Sequence, residues 1–117
     1  MHPRAQLGQW GETTACTYLQ QQGYKIITRN YRSAYGEIDI IAQLGSELSF
    51  VEVKTRQNLL FGTPAAAVTR SKQVKIHRTA LEYLQAVDKF YSDFGFDVIE
   101  ILRQDGQVTI NHLKKCF

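Results

Sequence analysis

With 117 residues, 44% of them hydrophobic and 21% charged, the chain has the size and composition of one compact domain rather than two. No apolar run approaches the roughly 20 residues of a membrane span, so an integral membrane protein is not expected, and the N-terminus lacks a continuous signal-peptide core. Two cysteines, Cys16 and Cys116, make neither a disulfide framework nor a thiolate cluster and suit a reducing cytoplasm, while a net charge of +3 acquires meaning only from its distribution.

Leu7 to Gln22 reads as a helix ended by Gly23. Gly8, Gly11, Glu12, Ala15, Tyr18 and Leu19 recur on one side at helical spacing. Glu12 is the odd member, a carboxylate among small and apolar residues. Burying it unpaired is costly, so it is expected to have a partner, a raised pKa or a place in a polar site; otherwise it is an acid at the edge of the stripe. Tyr24 to Tyr31 predicts the first strand, and Arg32 to Tyr35 a polar connection.

Two β-branched runs follow, Gly36 to Ala42 and Leu48 to Arg56, around Gly45-Ser46, a signal for a hairpin with a type II′ turn. With those two residues as the loop, Leu44 faces Glu47, Asp39 faces Glu52 and Glu37 faces Lys54. Strand alternation then puts these four charged residues, 37, 39, 52 and 54, on one face and Ile38, Ile40, Val51 and Val53 on the other. Directly opposed like charges are destabilising, so a positive group is expected between Asp39 and Glu52, and a hard divalent cation with oxygen ligands fits. The alternative is a wet sheet face, with Glu37 and Lys54 as a surface pair of little energetic consequence. Against it, the charged positions interrupt strongly apolar strands, and the carboxylates oppose each other.

Residues 57–64 form a loop closed by turn residues, in which Leu59, Leu60 and Phe61 either cap the core or form a flap, and residues 65–68 make a helical turn. A second helix runs to about Val87 from Thr69 as N-cap, burying Ile76, Ala80, Leu84 and Val87, joined at the N-terminal end by Gln73. Arg70, Lys72, Lys75 and Arg78 spread over its other sides. A helix N-terminus so charged attracts phosphate, Lys72 and Gln73 being nearest the start; the plainer reading is a solvated face. Phe96 to Leu102 and Val108 to Leu113 are the last strands, joined at Asp105-Gly106. Asp97 and Glu100 fall on opposite faces of the first of these, as structural or edge charges. The three histidines show no ligand spacing, which disfavours zinc.

Nine of the fourteen Lys and Arg residues lie in two stretches without an acid, 13–36 and 53–81, flanking the carboxylate hairpin. A basic front around an acidic centre suits a polyanion met by a metal site.

The order αβββαββ, with Asp39 on the second strand and Glu52-Val53-Lys54 on the third, resembles the PD-(D/E)XK nuclease superfamily, a restriction-endonuclease-like α/β fold with a mixed central sheet flanked by helices. The chain is more closely similar to the small bacterial YraN-like proteins, grouped near archaeal Holliday-junction resolvases. The resemblance is carried by Gly11-Glu12, Gly36-Glu37-Ile38-Asp39-Ile40-Ile41-Ala42, Phe50-Val51-Glu52-Val53-Lys54-Thr55-Arg56, Phe61-Gly62-x-Pro64 and Val68-Thr69-Arg70-Ser71-Lys72-Gln73.

It implies that Asp39 and Glu52, with the Val53 carbonyl, ligate Mg²⁺ or Mn²⁺, that Lys54 positions or polarises the attacking water, and that Glu12 completes the acidic cluster. It implies nucleic acid, DNA above RNA, as partner, and leaves a homodimer open; the basic stretches and the start of the second helix supply the candidates to hold it, Arg56, Arg70, Lys72, Gln73, Lys75 and Arg78. The expected function is a divalent-metal-dependent endonuclease acting on DNA, branched or structured DNA included. The alternatives are a nucleic-acid-binding module on the same scaffold without catalysis, and a partner-binding domain using Phe90, Tyr91 and Phe94 as a contact patch.

Overall fold

The computed structural model describes residues 3–57 and 68–117. The expectations for residues 58–67, including Leu59, Leu60, Phe61 and Pro64, lie outside the described residues. Helix α1 (Pro3–Gln21) is followed by strands β1 (Lys25–Arg32), β2 (Glu37–Leu44) and β3 (Glu47–Arg56), helix α2 (Arg70–Ala86), and strands β4 (Asp93–Gln104) and β5 (Gln107–Leu113). The five strands form one sheet in sequence order. All neighbours are antiparallel except β3 and β4, which run parallel with α2 in the connection between them.

The two helices cover opposite faces. Ala15, Cys16 and Leu19 of α1 pack on Ile40, Ala42, Val51, Ile99 and Ile101, while Ile76, Ala80 and Tyr83 of α2 pack on Ile38, Ile41, Leu48, Phe50, Phe96 and Val98. Continuous apolar runs in β2, β3 and β4 are what a sheet covered on both sides requires. Of the proposed aromatic patch, Phe90 is 85% and Phe94 42% exposed, whereas Tyr91 packs against the α2-side core.

Turn chemistry sets the boundaries. Gly23, at φ +95°, ends α1: the Tyr24 N–H donates to Leu19 O at 2.9 Å and the Gly23 N–H to Gln20 O at 3.0 Å, a Schellman arrangement. The Thr69 hydroxyl accepts from the Lys72 N–H at 3.3 Å and starts α2. Gly45 is at φ +61°, as a type II′ turn requires of its first central residue, and Leu44 faces Glu47 as expected. Asp105 and Gly106 both have positive φ, the type I′ signature.

Strand β4 begins earlier than Phe96. Ser92 donates its N–H to Ser46 O at 2.9 Å, and the parallel ladder then runs from Glu47–Asp93 to Arg56–Leu102. The length of β3 therefore draws residues 93–95 into the sheet. Asp97 and Glu100 do take opposite faces, but they are not edge charges, because β5 covers β4. Asp97 is buried and accepts from His112 Nε2 at 2.7 Å and the Lys115 N–H at 3.0 Å; Glu100 is buried against Arg56, Nε to Oε2 3.2 Å.

Two contacts fix α1 on the sheet. The Tyr18 hydroxyl meets His112 Nδ1 at 3.0 Å, extending the Asp97–His112 link to the helix. About two turns towards the N-terminus, Gly11 lies so close to β3 that a Cβ there would overlap the Thr55 hydroxyl. Glycine at this position lets the helix approach β3 and carries Glu12 to the sheet beside it.

Candidate metal centre

The β2–β3 ladder runs only from Leu44–Glu47 to Ile40–Val51. Beyond it β2 stays with β1 as far as Arg32–Glu37, and β3 stays with β4 as far as Arg56–Leu102. The sheet is therefore forked, and Asp39 and Glu52 are the first residues past the fork. Opposite Asp39, β1 is distorted by Asn30 at φ +54°.

The expected face assignment is corrected here: Ile38 packs on the α2 side, whereas Ile40, Val51 and Val53 pack on the α1 side. Alternation fails between Ile38 and Ile40, across from Asn30 of β1. Glu37 and Lys54 do not meet either. Glu37 pairs with Arg32 at 3.3 Å, and Lys54 turns to Glu52 at 3.5 Å.

The fork opens into two adjoining clefts. One, of about 480 Å³, is lined by Glu12, Asp39, Glu52, Val53, Lys54 and Lys72 among others. The other, of about 320 Å³, is lined by Gly36, Glu37, Asp39, Glu52, Lys72 and Lys75, closed by Ile76. Four of the residues expected to do chemistry, Glu12, Asp39, Glu52 and Lys54, thus share one cleft from three different elements.

Charge within it is unevenly compensated. Glu52 is 6% exposed, and its Oε1 takes both Lys72 Nζ at 2.8 Å and Lys54 Nζ at 3.5 Å. Asp39 has a Val53 N–H at 2.8 Å on Oδ2. Burial, reinforced by the Glu52 charge, pushes the Asp39 pKa from the ordinary 3.8 up to about 8 against the help of that N–H. Burial also raises the Glu12 pKa, opposed by Arg29, 3.8 Å away, and by an Asn30 hydrogen bond, and aided by the Glu37 and Glu52 charges.

The two lysines diverge. Burial and the neighbouring Lys72 lower the Lys54 pKa despite Glu52. For Lys72, burial acts against the charge but is outweighed by the hydrogen bond to Glu52, so its pKa is raised.

Among the described residues no group of three or more His, Cys, Asp or Glu side chains is placed to hold a metal ion, so Glu12 does not join Asp39 and Glu52 in one ligand set. An open site nevertheless fits Mg²⁺ or Mn²⁺, since such ions are held by one or two carboxylates and complete their shell with water and phosphate. The ammonium of Lys72 on buried Glu52 shows that the carboxylate supports a cation.

The remaining residues expected to bind nucleic acid are placed as follows. Arg70, Lys75 and Arg78 are exposed on α2, and Lys75 lines the second cleft. The Gln73 amide is used locally, donating to Val68 O at 3.1 Å. Arg56 is ion-paired with Glu100, its side chain 10% exposed. Sequence reasoning missed Asn30, whose positive φ no strand pattern signals, and it assigned Lys72 to phosphate without its contact to Glu52.

A sequence profile described as "Uncharacterised protein family UPF0102" matches residues 11–101. A UPF0102 protein of Syntrophomonas wolfei is 42% identical over 112 residues, covering 96% of this chain and 97% of its own length. One from Rhodococcus opacus is 48% identical, covering 95% of each chain, and one from Chlorobaculum parvum is 46% identical over 100% of this chain and 95% of its own. The chain belongs to the UPF0102, or YraN-like, family.

Proposed function

We propose that this UPF0102 protein is a divalent-metal-dependent endonuclease with a PD-(D/E)XK core, hydrolysing phosphodiester bonds in DNA. The observation that carries the reading is the placing of Asp39 and Glu52 together in the forked cleft, where burial, reinforced by the Glu52 charge, pushes the Asp39 pKa up to about 8. Like charges are kept together at a cost where a ligand uses them. The mixed five-stranded sheet with a helix on each face supports such a core. A reducing cytoplasm is part of the proposal, consistent with the free thiols of Cys16 and Cys116. Among the described residues no helix is long and apolar enough to cross a membrane.

Asp39 and Glu52 would hold Mg²⁺ or Mn²⁺, with the Val53 carbonyl on the cleft wall as a further oxygen. When bound, the metal supplies positive charge to the phosphate and lowers the pKa of water. Lys54 lies beside Glu52 with its proton loosened by burial, which suits it to exchange a proton with water or to place charge where the oxyanion develops. Glu12, from the opposite wall, is a proton acceptor whose raised pKa brings it nearer to neutral pH. Lys75, Arg70 and Arg78 would hold the phosphate backbone without reading sequence.

The non-catalytic reading rests on one observation, the Lys72 ammonium at 2.8 Å from Glu52, where it balances the carboxylate without any metal. Incubation of plasmid and branched DNA with Mg²⁺ or Mn²⁺ separates the two. Cleavage by wild-type protein that disappears in Asp39→Asn and Glu52→Gln is the expected result. Binding without cleavage in either metal would establish the module instead.

A further inference from the structure

We propose that Tyr35 and Arg78 form a base-stacking platform for one unpaired nucleotide of a strand whose backbone passes Lys75 into the forked cleft. This rests on the nuclease reading and narrows its substrate to nucleic acid carrying unpaired bases.

A lone exposed aromatic needs no explanation; Tyr35, 50% exposed, differs in how firmly it is held. It sits in the turn between β1 and β2, which the Ser33 N–H closes by donating to Gly36 O at 2.9 Å. The Tyr35 N–H donates to the Ser33 hydroxyl at 3.0 Å. That hydroxyl also lies 3.1 Å from Thr79 Oγ1 of α2, and because Thr79 gives its own proton to Lys75 O at 2.8 Å, Ser33 is the donor between them. On the other side of Tyr35, Gly36 lies against α2, where a Cβ would stand 3.3 Å from Lys75 Cβ. The backbone of the turn is thereby pinned to the helix on both sides of a half-exposed aromatic residue.

The ring has a cationic neighbour, the Arg78 guanidinium carbon at 5.8 Å from its centroid. Both line an open groove of about 550 Å³ with Leu81, Glu82 and Gln85. Lys72, Lys75 and Arg78 follow at three-residue intervals, about 4.5 Å of axial rise each, so the groove is the next step along α2 from the cleft that Lys72 and Lys75 line. Charge sets the direction of the strand. Glu82 repels phosphate and is an acceptor for the amino edge of a base, so the base belongs over the groove and its phosphate over Lys75. Within a duplex both faces of every internal base are already stacked, whereas an unpaired base offers a free π-face to an aromatic ring.

The test is fluorescence anisotropy without divalent metal, using a labelled single strand, a blunt duplex of the same length and a duplex with a single-stranded flap. The proteins are wild type, Tyr35→Phe, Tyr35→Ala and Arg78→Gln. Losing one base stack of about 1 kcal/mol or more should weaken single-strand and flap binding by Tyr35→Ala at least fivefold. Duplex binding should stay within twofold, and Tyr35→Phe should behave as wild type. Arg78→Gln should weaken all three probes through phosphate charge, and the single strand and flap more than the duplex because it also removes the cationic half of the platform. Equal weakening of duplex and single strand by Tyr35→Ala, or no weakening at all, overturns the platform. Metal-dependent cleavage that persists in that case leaves the nuclease reading standing. Absence of both binding and cleavage in the wild type removes the two together.

Discussion

Exchanging Asp39 for Asn should stabilise the protein by an amount that grows with pH. In the unfolded chain this carboxyl ionises near 3.8, whereas in the fold it keeps its proton to about pH 8. Between these values the folded state binds more protons than the unfolded one, so stability falls as pH rises. One proton sets the slope at about 1.4 kcal/mol per pH unit. From pH 5 to pH 7 the wild type should lose about 3 kcal/mol relative to Asp39→Asn, which for a domain of this size is roughly 10 °C in melting temperature. The gap should stop widening above about pH 8, where the folded carboxyl has also ionised. The Asn side chain still offers an oxygen to the Val53 N–H, so little is lost by the exchange. Thermal melts of both proteins in chelator at pH 5, 6, 7 and 9 measure the gap directly. Mg²⁺ at ten times its Kd should add about 1.4 kcal/mol to the wild type alone. Parallel pH profiles for the two proteins would refute the reasoning, because Asp39 would then ionise like any surface carboxylate.

Lys72→Met should lower metal-free stability by about 1 kcal/mol, a modest figure because the lysine is partly solvated and Lys54 remains on Glu52. The same change should tighten Mg²⁺ binding measured calorimetrically, since an ammonium no longer competes for the carboxylate. Gly11→Ala should destabilise by about 1–3 kcal/mol, although helix propensity alone favours Ala by about 1 kcal/mol. Melts of Gly11→Ala alone and together with Thr55→Ala decide the sign and its cause, the second change restoring most of the stability. Replacing Arg70, Lys75 and Arg78 by Gln should reduce the salt slope of duplex DNA binding by up to about 0.9 for each phosphate left without its cation. Replacing Lys114 and Lys115 should do less, because Lys115 already engages Asp93 at 2.6 Å and Lys114 lies over the Tyr24 ring.

Local signals carried the fold a long way. The Gly45-Ser46 turn fixed the hairpin register, Thr69 marked the start of α2 and Gly23 the end of α1, because each depends on a backbone conformation that few residue types adopt. Register in turn predicted Asp39 directly opposite Glu52; the ladder stops one pair short, at Ile40–Val51, and the two carboxylates line one cleft just beyond it. Partners across the sequence were not legible. Nothing in Arg56 shows that Glu100 rather than a phosphate receives it, since that depends on the parallel pairing of β3 with β4. The break in alternation at Ile38 was hidden for a related reason. It arises where β2 and β3 part company, and a hairpin pattern assumes that the ladder continues. Tyr35 read as part of a polar connection because its role depends on α2, more than 30 residues away in the chain.

The distribution of counter-charge over the buried acids separates the forked cleft from the rest of the protein. Asp97 has His112 on one oxygen and the Lys115 N–H on the other; Glu100 has Arg56. These acids have close partners on neighbouring strands or the tail after β5, and they tie the sheet to itself and, through Tyr18, to α1. At the fork the arrangement is different. Glu52 collects two ammonium groups on one oxygen, one of them from α2. Asp39, beside it, has a backbone N–H and a second carboxylate, and its proton stands in for the missing charge. A structural role would be met more cheaply by an apolar pair, because burying ions and hydrogen-bonded acids rarely stabilises a fold. A purely solvated face would not bury Glu52. On the proposed function, a cation small enough to sit between them would satisfy both carboxylates at once and release the lysines towards phosphate.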